Sequence, residues 1–177
     1  MDNNGKTHHG HNDKLTSYAC YGNNVLAPAD GMVIAIGNIC DDEKPFGDEI
    51  IEMTAKDVRG NFILIKHAEK EYGFIGHLQP QSIIVEIGQR VNQGEIIAKC
   101  GNSGNSSEPH IHFHLQDGIN FFTSAGIPIT FHNICISKKQ GYENYDKRKI
   151  SDLKKSTSTK TKIHRGQQVS NIHNLLK

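Results

Sequence analysis

The stretch of sequence that most constrains the fold covers residues 101–116 and reads G-N-S-G-N-S-S-E-P-H-I-H-F-H-L-Q. Its first half is rich in glycine, asparagine and serine, which favour turns, and Pro109 prevents a helix from running through it. Its second half alternates histidine with apolar residues. Because side chains two residues apart on a strand share a face, His110, His112 and His114 are predicted to line one surface.

Two interpretations of this histidine face are open. A row of imidazoles at the start of a strand suits a metal site or an acid–base site. The alternative is a half-exposed strand whose polar face consists of histidine. The preceding turn favours the first interpretation, because Gly101 and Gly104 can adopt the positive φ that would aim His110 inward. We therefore predict a positive φ for at least one of these two glycines.

The rest of the chain up to residue 137 is a series of short apolar segments separated by glycine and proline, which predicts an all-β barrel or sandwich. The predicted strands are 25–27, 32–36, 61–67, 72–78, 82–87 and 95–99. Between them, residues 37–60 contain seven acidic residues and are interpreted as a surface loop. The predicted organisation is a polar N-terminal loop (1–24), one β domain (25–137) and a basic, Lys/Ser/Thr-rich C-terminal extension (138–177).

The overall charge is nearly balanced, at +1 for 177 residues, which argues against nucleic acid as the main partner. The charge is unevenly distributed, since residues 138–165 contain ten Lys or Arg and three Asp or Glu. This segment is either a solvated extension or a patch for an anionic polymer. No apolar run approaches the roughly 20 residues that span a bilayer, and the polar start M-D-N-N-G-K-T-H-H predicts no signal peptide in this chain.

The run G-N-S-G-x-S-x-x-P-H-x-H resembles the signature of the lysostaphin-type, or LytM-like, zinc endopeptidases, which cut peptidoglycan peptides. Four other motifs follow that family's order. They are V-L-A-P-A-D-G-M-V at 25–33, G-N-F-I-L-I-K-H at 60–67, G-H-L at 76–78 and G-Q-R-V-N-Q-G at 88–94. Five motifs in order are more specific than any one of them.

The resemblance implies a single small β domain of the duplicated-hybrid-motif type, with a shallow groove and irregular N- and C-terminal extensions. It also implies a Zn²⁺ cofactor, hydrolysis of amide bonds in peptidoglycan peptides, and a location outside the cell or in the cell envelope. In that setting an anionic wall polymer is the expected partner of the basic extension. No membrane partner is implied.

The family's site residues carry over motif by motif. The second histidine of H-x-H is a zinc ligand, which makes His112 the predicted ligand here. The first histidine of H-x-H and the histidine of H-L form the acid–base pair, which are His110 and His77. A catalytic zinc has three protein ligands and an open position for water, whose pKa it lowers to about 7.

The family's other two ligands come from an early H-x-x-x-D motif, and two alignments are open. In the first, His9 and Asp13 satisfy this motif and are zinc ligands. In the second, the stretch around them resembles a loop that some members carry after the ligands. The ligating histidine and aspartate would then precede Met1. The spacing alone does not decide between these alignments.

Two other functions compete with hydrolysis. A relative without a complete metal site would be a wall-binding or regulatory module, so whether the chain is an enzyme depends on the two missing ligands. The 25–33 and 88–94 motifs also resemble a biotinyl or lipoyl carrier domain. That reading is disfavoured because the lysines between them, Lys44, Lys56, Lys66 and Lys70, lack the Met-Lys context of a carrier.

Overall fold

The structure is a computed structural model that describes residues 6–45, 57–132, 134–139, 160–163 and 167–171. Over these residues it is nearly all β, as predicted, and its helical content is one 3₁₀ turn at Leu15–Ser17. The strands are β1 (Asn24–Leu26), β2 (Gly31–Gly37), β3 (Asn61–Ala68), β4 (Glu71–Leu78), β5 (Arg90–Val91), β6 (Ile96–Lys99), β7 (His112–Gln116), β8 (Gly126–Ile127), β9 (Phe131–His132), β10 (Ile134–Lys138), β11 (Lys160–Thr161) and β12 (Gln167–Asn171).

The chain forms two compact units, Met1–Ile127 and Pro128–Lys177. The first unit contains an antiparallel six-stranded sheet in the order β5-β2-β3-β4-β7-β8. Strands β5 and β8 are the edges of this sheet, so the described strands form open sheets rather than the closed barrel that was one of the two predicted forms. Strand β7, with the histidines, lies directly beside β4.

The six-stranded sheet is buried on both faces at its centre, because residues 62–65 of β3 are all apolar. Ile63 and Ile65 belong to the larger core, which also contains Val33, Leu78 and Ile97. Leu64 lies on the opposite face, in a second cluster with Tyr72 and Phe74. Complete burial of such a side chain stabilises the fold by roughly 1.5–3 kcal/mol. The strands that carry the histidines are therefore fixed from both sides.

A second sheet of the first unit pairs β1 with β6, with a bulge between Val25 and Leu26. The predicted strand at 82–87 is wrong, because no strand is formed there. The segment runs beside β6 through the hydrogen bond from Ile84 N to Ile97 O (3.1 Å). The Lys99 amide donates instead to the Ser82 hydroxyl at 3.1 Å, so a side chain replaces the next backbone partner.

The second unit has two antiparallel pairs, β9 with β11 and β10 with β12. The limit predicted from composition, at residue 137, lies inside β10. The extension predicted as irregular contains β11 and β12, but most of its basic segment, 140–159 and 164–166, lies outside the described residues. None of the helices in the described part of the chain is long and apolar enough to cross a membrane.

Candidate active site

Three histidine rings of the first unit meet at one place: His77 from β4, His112 from β7 and His110 from the turn before β7. We call these three residues the histidine cluster. The register of β4 and β7 places Gly76 opposite His112, so the next residue of β4 lies beside the start of β7. The ring centroid of His77 is 4.7 Å from that of His110 and 5.9 Å from that of His112. Residues predicted from two separate motifs are thus neighbours.

His77 has a left-handed backbone conformation, with φ of 61°. Residues other than glycine rarely adopt this conformation, which costs on the order of 1–3 kcal/mol. It occurs where the β3–β4 ladder shifts register between Asn61 and Ile63. The His77 amide donates to the carbonyl of Arg59 at 3.3 Å. This irregularity turns the histidine out of the regular strand pattern.

The His77 ring is buried, with 6% of the residue exposed, and is held in one tautomer. Its Nδ1 lies 2.8 Å from the carbonyl oxygen of Ser103, which only accepts, so Nδ1 carries the proton. Burial, with a smaller effect of His110 and His112, lowers the pKa of His77 to about 4 despite the hydrogen bond to Ser103. His77 is therefore neutral at pH 7, with a lone pair on Nε2.

The turn before β7 positions this carbonyl, as its glycines predicted. Gly104 has a φ of +77°, and a Cβ there would overlap the backbone of Gly60. The side chain of Ser103, fully buried, accepts from the Asn61 amide at 2.9 Å and donates to the Leu78 carbonyl at 2.7 Å. The turn is thereby attached to the strand pair that carries His77.

His110 is exposed and is oriented by the same turn. Its Nδ1 lies 2.8 Å from the Glu108 carbonyl and 3.1 Å from the Ser106 hydroxyl. The carbonyl makes Nδ1 the protonated nitrogen, as in His77. Ser106 itself is 2% exposed and donates to the Asn102 side chain at 2.7 Å. In the neutral state of its ring, each member of the predicted acid–base pair therefore carries its lone pair on Nε2.

His112 faces its strand neighbour, because its Nε2 lies 2.8 Å from Nδ1 of His114. Its pKa is lowered by burial first and then by His114 and His110, so the ring is neutral at pH 7. No hydrogen bond joins Nδ1 of His112 to any described residue. A neutral imidazole with an unused nitrogen is the form that ligates a metal.

An aromatic wall, formed by Phe62, Phe74, Phe121 and Phe122, adjoins the cluster. The His112 ring lies 5.8 Å from that of Phe74 and 6.3 Å from that of Phe121. Phe122 is 69% exposed. The guanidinium of Arg59 lies 4.5 Å over the Phe62 ring and 5.8 Å over that of Phe122. Phe62 and Phe74 lie on strands that the sequence predicts, whereas Phe121 and Phe122 were not predicted, since D-G-I-N-F-F at 117–122 has no strand or helix period.

The N-terminal segment that contains His9 and Asp13 folds back on itself. The His9 amide donates to Ser17 O at 2.8 Å, and the Ala19 amide to Thr7 O at 2.9 Å. The side chains of His9 and Asp13 are exposed. Asp13 lines an open pocket of about 320 Å³ with other N-terminal residues and part of the 42–45 loop. None of the clustered histidines lines that pocket.

The metal-ligating side chains among the described residues do not form a complete zinc site. Among the residues that the structure describes, no three His, Cys, Asp or Glu side chains are placed to hold a metal ion together. His9 and Asp13 are thus not gathered with His112, whereas a catalytic zinc uses three protein ligands. Their role as ligands stays a prediction, as does the alternative that the ligands lie elsewhere.

The all-β fold and its histidine cluster are features of a class of peptidases, and comparison with known proteins identifies the family. Residues 11–123 match the model described as Peptidase family M23. The match covers more than half of the chain, so the chain belongs to this family. The resemblance inferred from the five motifs is confirmed.

Two curated relatives come from Vibrio cholerae serotype O1. The peptidoglycan DD-endopeptidase ShyC is 33% identical over 76 residues, which is 42% of this chain and 17% of ShyC. The peptidoglycan DD-endopeptidase ShyA is 34% identical over 70 residues, 39% of this chain and 16% of ShyA. The chain therefore matches less than a fifth of the length of either relative.

Solved structures of similar proteins include two catalytic domains. One is a mutant of the prophage-encoded M23 protein EnpA from Enterococcus faecalis, with a TM-score of 0.47 and 22% identity, covering 60% of this chain and 68% of that one. The other is lysostaphin from Staphylococcus simulans, with a TM-score of 0.44 and 21% identity over the same shares of the two chains.

Proposed function

We propose that this chain is a zinc-dependent endopeptidase domain that hydrolyses amide bonds in peptidoglycan peptides, outside the cell or in the cell envelope. The observation that carries the proposal is the histidine cluster, in which each of the three rings keeps one nitrogen free of hydrogen bonds to the described residues. Membership of the M23 family supports the reaction class. The relatives named as peptidoglycan endopeptidases support the substrate class.

His112 would hold the metal through Nδ1, and zinc, when bound, would supply Lewis-acid chemistry at the scissile carbonyl and at the attacking water. The two remaining ligands would be His9 and Asp13, if the N-terminal segment moved toward His112, or groups elsewhere. In the first case, metal binding offsets the roughly 1–2 kcal/mol per residue of ordering such a loop.

His110 and His77 are assigned the acid–base and orienting roles in the reaction. Each ring donates a hydrogen bond from Nδ1–H to a backbone carbonyl, so in its neutral form each can accept a proton or a hydrogen bond at Nε2. A general base works best when its pKa is near the operating pH. Since burial lowers the pKa of His77 to about 4, the exposed His110 is assigned as the base that takes the proton of the attacking water. His77 is assigned to orienting that water and the reacting carbonyl group.

The aromatic wall and Arg59 form the side of the site on which the peptide lies. Arg59 is bound to Asp57 at 2.7 Å and reaches over two phenylalanine rings, which fixes its guanidinium. Peptidoglycan peptides carry free carboxylates, and a fixed guanidinium is a suitable hydrogen-bond donor for such a group. The basic segment 138–165 is proposed to bind an anionic wall polymer.

The test is hydrolysis of cross-linked peptidoglycan peptides with added zinc, followed by mass spectrometry of the products. We expect cleavage by the parent, no detectable cleavage by His112→Ala, and a loss of about 10²–10⁴-fold for His110→Ala. His132→Ala, which removes an exposed histidine of the second unit, is the matched control and should keep full activity. Equal activity of His112→Ala and the parent would refute the proposal.

A non-catalytic binding module is the second candidate function. The observation in its favour is that His112 is not joined by two further ligands among the described residues. A parent that binds the same peptides, but neither hydrolyses them nor retains zinc, would establish this second function in place of the first.

A further inference from the structure

The third histidine of β7 and the glutamine that follows it form a hydrogen-bonded chain behind His112. His112, His114 and Gln116 lie two residues apart, so they share one face of the strand. Nε2 of His112 lies 2.8 Å from Nδ1 of His114, and Nε2 of His114 lies 2.7 Å from Oε1 of Gln116. Nε2 of Gln116 then donates to the carbonyl of Gly118 at 2.7 Å.

The donor and acceptor in each of these hydrogen bonds follow from the last partner, the Gly118 carbonyl. The Gly118 carbonyl only accepts, so the amide group of Gln116 must face it and the amide oxygen must face His114. His114 therefore donates from Nε2, and in the neutral form of its ring Nδ1 is the acceptor. His112 must then donate from Nε2, and its lone pair lies on Nδ1. A backbone carbonyl thus determines the tautomer of a ring three links away.

Packing keeps the side chains of this hydrogen-bonded series from rearranging. Gln116 is 1% exposed, so its amide has no water to turn toward. The His114 ring stacks on Phe74 at 5.2 Å between centroids and also contacts Phe121 at 5.6 Å. The strand register pairs Phe74 with His114 directly. We call the hydrogen-bonded series His112, His114 and Gln116 the relay. It is held by β4 and β7, the same strand pair that carries His77 and His112.

We propose that His114 and Gln116 are positioning residues that lock His112 as its Nε2–H tautomer and so reserve Nδ1 for a ligand. The relay itself needs no metal, but the identification of that ligand as zinc rests on the proposed function. Partners of this kind, which orient a ligating histidine, typically change metal affinity about 10–100-fold when removed.

The test reads the tautomer directly. Long-range ¹H–¹⁵N correlation spectra of the full ¹⁵N-labelled chain would be recorded in EDTA at about pH 7.5, where His112 is neutral. The His112 signals are assigned by their loss in His112→Ala. We expect Nε2 protonated and Nδ1 unprotonated in the parent, and a mixture of both tautomers in Gln116→Met. A parent with Nδ1 protonated, or a Gln116→Met spectrum in which His112 is unchanged, would overturn the proposal.

A second pair of variants guards against misfolding of the buried Gln116→Met. His114→Asn places an amide oxygen where Nδ1 of His114 was and should keep the His112 tautomer, whereas His114→Leu removes the acceptor and should lose it. Identical His112 signals in these two variants would also overturn the relay. Because the spectra are recorded without zinc or substrate, a parent with the expected tautomer supports the relay even if it binds no zinc, an outcome that would defeat only the proposed function.

Discussion

At the scale of single residues, His77 combines three features that support one another. Its left-handed backbone, its buried ring and its hydrogen bond to Ser103 each restrict where Nε2 can lie. A strained backbone conformation persists only when its surroundings hold it in place. Here the surroundings are the Arg59 carbonyl, the Ser103 carbonyl and the neighbouring histidine rings.

The lowered pKa of His77 gives a first prediction at this scale. The folded pKa of about 4 lies below the ordinary histidine value of 6.5, so between these two pH values the unfolded chain binds a proton that the folded chain does not. The free energy of unfolding should therefore fall as the pH decreases from about 6.5 to about 4, by on the order of 2 kcal/mol. Urea unfolding in EDTA over this pH range measures the effect.

His77→Asn is the matched variant for this experiment. Asparagine tolerates the left-handed conformation, and its amide can donate to Ser103 from the position of Nδ1. It does not titrate, so the variant should lose this part of the pH dependence while the other groups keep theirs. Parallel pH profiles for parent and variant would show that His77 is not held neutral by the fold.

At the scale of elements, the site depends on how the 101–106 turn docks onto β3 and β4. Much of this was predictable, because the glycines, the H-x-H alternation and the strands at 61–67 and 72–78 are all visible as local patterns. The bulge at His77 was not, since it arises where Asn61 pairs with Leu78 in one register and Ile63 with Ile75 in another. The relay through Gln116 was missed, although the period of two already placed it behind His114.

Ser103 provides the prediction for this scale. Its hydroxyl is the hydrogen-bond partner of the Asn61 amide and the Leu78 carbonyl, and Leu78 also accepts from the Asn61 side chain at 3.2 Å. Ser103→Ala should leave the buried Asn61 amide without a partner and lower the free energy of unfolding by about 1–3 kcal/mol. Denaturant unfolding provides the measurement.

Ser107→Ala is the control, because it removes the same hydroxyl from an exposed position of the same loop. We expect it to change the free energy of unfolding by less than about 0.5 kcal/mol. If both variants were equally stable, the turn would not be attached through Ser103, and the account of how His77 is positioned would need another anchor.

At the scale of the whole chain, the sequence predicted the family, the all-β class and the three clustered histidines, but not how the N-terminal segment meets them. The family motifs are short-range patterns, whereas the position of His9 and Asp13 depends on long-range contacts of a polar segment. That segment is fixed near the site at its far end, where Cys20 donates to the Pro109 carbonyl at 2.9 Å and Tyr21 to Asp42 at 2.7 Å. The residues before Cys20 are held by backbone hydrogen bonds within the segment, from His9 to Ser17 and from Ala19 to Thr7.

The central claim, that His112 is a ligand of a catalytic zinc, is tested most directly by zinc titration against a chromophoric chelator. Loss of affinity in both His9→Ala and Asp13→Ala would identify the other two ligands, and unchanged affinity in both would place them elsewhere. For the claim itself, we expect stoichiometric binding by the parent and by His132→Ala, and at least a roughly 100-fold weaker affinity for His112→Ala. A parent that binds no zinc, or a His112→Ala variant that binds it as tightly as the parent, would contradict the account.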